Sequence, residues 1–122
     1  MHSVKAPLSL CSLAALFALA PADLCRAADC EGLSGLKLPD TTITIARSVT
    51  GGTFTPPDGN PVKDLPPFCR VAGVIKPTSD SYIRFEVWLP LQGWNHRYRG
   101  IGNGGFAGQI SFEQLANSVR RN

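Results

Sequence analysis

Apolar and polar positions alternate along three stretches of the chain. In Thr41–Val49 (TTITIARSV) the residues Ile43, Ile45 and Val49 fall on one side and threonines on the other. A period of two marks a half-buried strand. Phe68–Lys76 (FCRVAGVIK) sets Cys69, Val71, Gly73 and Ile75 on one side, and Tyr82–Leu89 (YIRFEVWL) sets Ile83, Phe85, Val87 and Leu89 against Arg84 and Glu86. Turn residues at Pro77–Ser81 separate these two runs, which predicts an antiparallel pair. Arg97–Ile101 predicts a short fourth strand. Glu31–Pro39, with two glycines and a proline, reads as loop or a single helical turn. Thr50–Pro67 carries five prolines and three glycines, which exclude a helix and interrupt any ladder, so it reads as a long hairpin-like connection or an ordered excursion.

The period changes near the end. Ser111-Phe112-Glu113-Gln114 has the form of a capping box, and Ile110 with Leu115 has the spacing of a hydrophobic staple. Phe112, Leu115, Ala116 and Val119 then recur at helical spacing, which predicts a helix opening at Ser111. Only Arg120, Arg121 and Asn122 follow, so the sequence shows nothing beyond the helix for its apolar face to pack upon. The expected class is α/β, with about four strands and one terminal helix. Strand, loop and helix come in the order with which a parallel α/β sheet begins. The chain therefore reads as the incomplete, β-rich N-terminal portion of a longer fold.

Residues 1–27 add a compartment to this picture. His2 and Lys5 precede the apolar run Leu8–Ala20, and small residues at Ala20–Ala22 and Cys25–Ala27 offer cleavage sites. This is the form of a secretory signal peptide. The run is too short to span a bilayer and is bracketed by Pro7 and Pro21. The expected mature chain is residues 28–122, a single domain, secreted or periplasmic, with no membrane association once the signal is removed. An oxidising compartment lets thiols pair. Cys11 and Cys25 leave with the signal, and the remaining Cys30 and Cys69 allow one intramolecular disulfide. They make a poor zinc site, and no metal or cofactor is expected.

Charge narrows the partners only slightly. The chain has 12 Lys and Arg against 9 Asp and Glu, a net charge of +3. The basic residues are scattered, with Arg97, Arg99, Arg120 and Arg121 the only local groupings, so no nucleic-acid stripe is present.

The candidate chemistry lies in Arg97–Gly108 (RYRGIGNGGFAG), where five glycines fall within nine residues. Glycine lets main-chain N–H groups approach a ligand closely, at an entropic cost that a purely structural loop would rarely repeat so often. Gly100-x-Gly102-x-x-Gly105 fits the spacing of a dinucleotide fingerprint. That fingerprint also needs a helix opening on the last glycine and an acidic residue about 20 positions on, and neither is found. The better reading is a strand-to-helix loop whose N–H groups hold an oxyanion. The plain alternative is a glycine-rich surface turn.

A series of motifs resembles the tannase and feruloyl esterase family of secreted α/β hydrolases, which includes a plastic-monomer ester hydrolase. The matching stretches are Leu38–Ile43 (LPDTTI), Phe54–Pro57 (FTPP), Phe68–Gly73 (FCRVAG), Lys76–Ser81 (KPTSDS), Ile83–Pro90 (IRFEVWLP), Gly93–Asn95 (GWN) and Gly102–Gly108 (GNGGFAG). They cover nearly all of residues 28–122 in order. The resemblance implies the N-terminal part of an α/β-hydrolase fold and a serine esterase acting on small esters of aromatic acids through a Ser-Asp-His triad. Family members carry the serine in a Gly-Cys-Ser-x-Gly elbow, with lid and calcium site, downstream of the glycine run. This chain has no G-x-S-x-G, and beyond residue 27 its only histidine is His96, so the resemblance implies a piece inactive by itself. It also implies that Cys30 and Cys69 form the family's N-terminal disulfide. The oxyanion loop would be Gly102, Asn103, Gly104 and Gly105, with the donor N–H at Asn103 or Gly104.

Other residues have simpler readings. His96 stands in a turn with no carboxylate spaced to orient it. Ser34, Ser79, Ser81 and Ser111 suit turns and the helix cap. Trp88 and Trp94 suit packing on the sheet and the turn. A reading from a different class makes residues 28–122 a small, disulfide-stapled, β-rich binding module that uses Trp88, Trp94 and the glycine loop as its ligand surface.

Overall fold

The computed structural model describes residues 29–121, and the expected signal peptide over 1–27 lies outside them. In chain order the elements are a 3-10 turn (Glu31–Gly35), β1 (Thr41–Val49), β2 (Gly52–Phe54), β3 (Val62–Leu65), β4 (Phe68–Ile75), β5 (Ile83–Pro90) and α1 (Phe112–Val119). β1, β4 and β5 form an antiparallel sheet in the order β1-β4-β5, and β2 pairs with β3 in a separate two-stranded ribbon. The described residues are thus β-rich, with five strands in two sheets and one α-helix. The antiparallel pairing expected of the second and third alternating runs is present, in unbroken register from Phe68↔Pro90 to Ile75↔Ile83.

The extra strands come from the proline-rich excursion. Its prolines stand outside the two short strands, where a missing N–H interrupts no ladder. Val62 and Leu65 of β3 are then free to enter the core. Conversely, Arg97–Ile101, expected as a fourth strand, forms none. Alternation alone does not make a strand, because each needs an edge to pair with, and this segment meets none among the described residues.

Both faces of the main sheet are covered. On one, Phe68 stacks on Trp88 at 4.3 Å between ring centroids, and Phe54 stands edge-on to both at 5.8 and 5.5 Å. Val62 and Leu65 join them from β3, with Phe112, Ala116 and Val119 from α1. On the other face, Cys69 and Val71 pack with Cys30, and Leu33, Ile43, Phe85 and Val87 close around them. The Cys30–Cys69 disulfide holds the 3-10 turn against this face.

Two-sided cover corrects the expected sidedness of β1. Ile43 pairs with Gly73 and Ile45 with Ala72, so Thr44 is an extra, bulged residue whose hydroxyl donates to Ala72 O at 3.2 Å. The bulge reverses the alternation. Ile43 packs on the disulfide face and Val49 on the Trp88 face, so the three residues expected on one side are divided between two.

The helix begins where expected, with Ser111 as N-cap, but the capping box does not close. The Gln114 side chain accepts instead from Arg99 Nη2 at 3.4 Å. Ile110 and Leu115 both pack on the core, as a staple would require. Contrary to expectation, the apolar face of α1 finds its cover within the chain, on Trp88, Val62 and Leu65. Arg120 fastens the helix to the ribbon, its guanidinium donating to Lys63 O and to Asn117 Oδ1 and pairing with Glu113 at 3.2 Å.

Candidate functional site: a glycine loop beside an arginine-lined groove

Beyond Pro90 the chain runs without regular structure until Ser111. Local bonds give the first part its course. Trp94 Nε1 donates to Arg97 O at 3.1 Å, and Arg97 N–H donates to Asn95 Oδ1 at 3.0 Å. Long-range bonds lace it to α1: Asn95 Nδ2 donates to Arg121 O at 3.4 Å, and Arg99 reaches Ser118 Oγ at 3.5 Å and Gln114 Oε1 at 3.4 Å. The side chains of Asn95 and Arg99 thereby tie the segment to the helix. Between this segment, α1 and β5 a groove of about 880 Å³ is left open.

The glycine run forms one end of that groove. Gly102, Asn103 and Gly104 line it, and Gly105 follows them just outside the lining. All four residues are exposed, and among the described residues their N–H groups make no hydrogen bond. Gly105 and Gly108 take left-handed backbone at φ 58° and 57°, a conformation that L side chains rarely adopt, and between them they present a fully exposed Phe106. A Cβ placed on Gly102 or Gly104 would meet nothing within 4 Å. Packing within the chain therefore does not demand glycine at either position.

Electrostatics single out the same place. Arg84, Arg97, Arg99 and Arg121 line the groove, and Glu86 is the one acidic residue among the lining. Glu86 is already neutralised. Its Oε1 accepts from Arg70 Nε at 2.6 Å and from Trp88 Nε1 at 2.7 Å, and its Oε2 from Arg70 Nη2 at 3.1 Å. The guanidinium groups of Arg84, Arg97 and Arg121 meet no acceptor among the described residues. A cluster of unbalanced cations beside unbonded amides attracts negative charge.

The Cys30–Cys69 disulfide sits outside the groove lining. His96 is exposed, with its ring 4.9 Å from that of Trp94. No hydrogen bond joins it to any serine among the described residues. Ser118 Oγ, in the groove, is turned back onto its own helix, donating to Gln114 O at 2.9 Å. Trp88, otherwise a core residue, and Trp94, in the turn, also line the groove. No group of three or more His, Cys, Asp or Glu able to hold a metal is present among the described residues, and none of their helices is long and apolar enough to cross a membrane.

Sequence reasoning missed the Arg70–Glu86–Trp88 cluster and the convergence of the arginines. The first had a signal. With a turn at Pro77–Ser81, the register places Arg70 opposite Trp88 and diagonal to Glu86. The second had none, since Arg84 and Arg121 come to line one groove only through the packing of α1.

Relatives carry the same stretch. An uncharacterized esterase of Xanthomonas campestris pv. campestris is 48% identical over 110 residues, covering 90% of this chain and 19% of that protein. A probable feruloyl esterase B-1 of Aspergillus flavus is 32% identical over 98 residues, covering 71% of this chain and 18% of that protein. This chain belongs to the feruloyl-esterase-like family. A third relative, a probable feruloyl esterase B-2 of Neosartorya fischeri, is 32% identical over 117 residues, or 86% of this chain and 22% of its own length. The chain thus spans about a fifth of the curated relatives it matches. No family model matches it, and no solved structure does. Homology to esterases supports an ester hydrolase fragment and does not favour the binding-module reading.

Proposed function

We propose that this feruloyl-esterase-like chain is the N-terminal portion of a secreted or periplasmic serine ester hydrolase of the tannase and feruloyl esterase type, with an α/β-hydrolase fold. In that enzyme the glycine loop supplies half of the oxyanion hole. One observation carries the reading: the N–H groups of Gly102, Asn103, Gly104 and Gly105 are unbonded among the described residues, at the end of a groove. The disulfide and the signal-type leader support export.

The chemistry follows from those amides. A serine attacks the carbonyl of an aromatic-acid ester as its hydroxyl proton passes to a histidine that an aspartate orients, and the carbonyl oxygen becomes an alkoxide. An N–H at Asn103 or Gly104 donates to that oxygen, and the residue after the serine gives the second donor. Such preformed donors reorganise little as the charge develops. Losing one costs roughly 3–4 kcal/mol of transition-state stabilisation. The triad is contributed by polypeptide outside this chain, which has no G-x-S-x-G, so residues 28–122 alone do not turn over esters.

The test is ester hydrolysis by two proteins: this 122-residue chain, and the full polypeptide translated from its gene. Methyl esters of hydroxycinnamic and hydroxybenzoic acids are suitable substrates. The chain should be silent and the longer protein active. Serine-inhibitable turnover by the purified chain overturns the division of labour. An inactive longer protein overturns the enzyme reading itself.

A further inference from the structure

We propose that Asn103-Gly104 is a self-modifying site, at which the main-chain nitrogen of Gly104 attacks the side-chain amide of Asn103 and the carboxylate that results disables the glycine loop. The consequence for catalysis rests on the proposed function, whereas the modification itself does not. The chemistry balances within the chain and one water molecule. The Gly104 nitrogen loses its proton and bonds to Asn103 Cγ, the Cγ–Nδ2 bond breaks, and ammonia leaves with that proton. The cyclic imide that remains takes up water at either carbonyl. Opening on the Cγ side gives aspartate, and opening on the main-chain side gives isoaspartate, in which the backbone runs on through Cγ.

The pair meets each condition this reaction sets. The nucleophile is open: the Gly104 N–H makes no hydrogen bond among the described residues, no side chain of its own shields it, and a Cβ there would meet nothing within 4 Å. The Asn103 side chain is exposed and equally unbonded among the described residues. Glycine flanks it on both sides in a stretch without helix or strand, so the backbone can turn the two groups together. The other asparagines among the described residues each fail a condition. Asn60 precedes Pro61, whose nitrogen has no proton to lose. Asn95 commits its side chain to Arg121 O at 3.4 Å and to the Arg97 N–H at 3.0 Å. Asn117 lies within α1 and accepts from Arg120. The chemically similar Asp58-Gly59 is also held, since Gly59 N–H donates to Pro56 O at 3.0 Å and Asp58 Oδ1 accepts the Asn60 N–H at 3.0 Å. The consequence is electrostatic. A carboxylate at residue 103 faces a developing oxyanion with like charge, and isoaspartate also adds a methylene to the main chain just ahead of the Gly104 N–H. Amides left open for a substrate's oxygen are thus open to their own asparagine.

Peptide mass spectrometry tests this on the polypeptide as translated from the gene, incubated in mildly alkaline buffer and sampled over days. The peptide that contains Asn103 should become about 1 Da heavier, in part as isoaspartate, and should do so about tenfold or more faster than those that contain Asn60, Asn95 or Asn117. Gly104→Ala, whose Cβ enters open space but crowds the nitrogen, should slow the change by about tenfold or more. Asn103→Gln, which would have to close a larger ring, should abolish it. An Asn103 peptide that gains mass no faster than the other three overturns the inference, as does a rate that Gly104→Ala leaves unchanged. Ester hydrolysis by the same samples reads the consequence. The fraction of activity lost should follow the fraction of Asn103 converted, and Asn103→Gln should keep whatever activity it starts with. Conversion with undiminished hydrolysis strikes out the disabling of the loop. A protein that never hydrolyses esters sinks the esterase reading, and the masses still decide the modification.

Discussion

At the scale of single residues, glycine has two different jobs here, and substitution separates them. A Cβ on Gly73 would lie 2.5 Å from Thr42 O and 2.6 Å from Phe85 Cζ, both inside van der Waals contact. Gly73→Ala must push strand backbone or an aromatic ring aside and should destabilise by roughly 1–3 kcal/mol. The same change at Gly102 or Gly104 meets open space and should alter stability by no more than about 0.5 kcal/mol. Urea unfolding monitored by tryptophan fluorescence reads both. A second residue-level prediction concerns acid. Glu31 Oε1 accepts the backbone N–H of Ser48 at 2.7 Å, and this bond holds the Glu31 carboxyl below its ordinary value of 4.5. A carboxyl whose folded value is depressed stabilises the fold above its unfolded value and loses that contribution as pH falls through the folded one. The melting temperature should therefore decline on the acid side of 4.5, and Glu31→Gln should flatten that part of the profile. An unchanged profile in the variant would assign the acid sensitivity to other carboxyls.

At the scale of elements, the alternating pattern located β1, β4 and β5, because these strands are long enough for a period of two to stand out, and the apolar repeat located α1. The pattern failed where pairing decides. β2 and β3 are short strands in a proline-rich run, visible only once Phe54 and Val62 are seen paired, and Arg97–Ile101 has the pattern but no partner. It also gave no sign that Glu86, on the charged side of β5, is interior. Glu86 pairs with Arg70 of β4, their side chains are 3% and 8% exposed, and the guanidinium lies 5.3 Å from the Phe54 ring centroid. Removing one partner of a buried ion pair leaves the other uncompensated. Arg70→Met should thus cost about 3–5 kcal/mol, whereas Arg70→Met with Glu86→Met, which removes both charges, should recover much of it. The pair of unfolding curves decides whether Arg70 acts through charge or through packing, since a packing role would leave the double variant as weak as the single one.

At the scale of the whole molecule, the candidate site is the part least legible in advance. The glycine spacing exposed the loop, but whether its amides are bonded, and which arginines line the same groove, depends on α1 folding back over β5. What keeps the sheet fit to position that loop is the cover on its two faces, and the two covers differ in kind. The Trp88 face is closed by the ribbon and α1 through apolar packing. The opposite face holds three buried residues, Cys30, Cys69 and Val71, and its cover is a short 3-10 turn anchored by the disulfide. A core this small depends on its cross-link. The bridge joins residues 39 apart, and closing a loop of that size restricts the unfolded chain enough to stabilise the fold by about 4 kcal/mol. Reduction should lower the urea midpoint accordingly. Because the lost cover lies on the far face, the Trp88 environment should persist in the reduced protein until the main transition, while the Ser48 amide, which depends on Glu31 being held in place, should exchange faster at once. A reduced protein in which Trp88 is exposed together with Ser48 would mean that the two faces fold as one unit, and that the disulfide supports the glycine loop as well as the sheet beneath it.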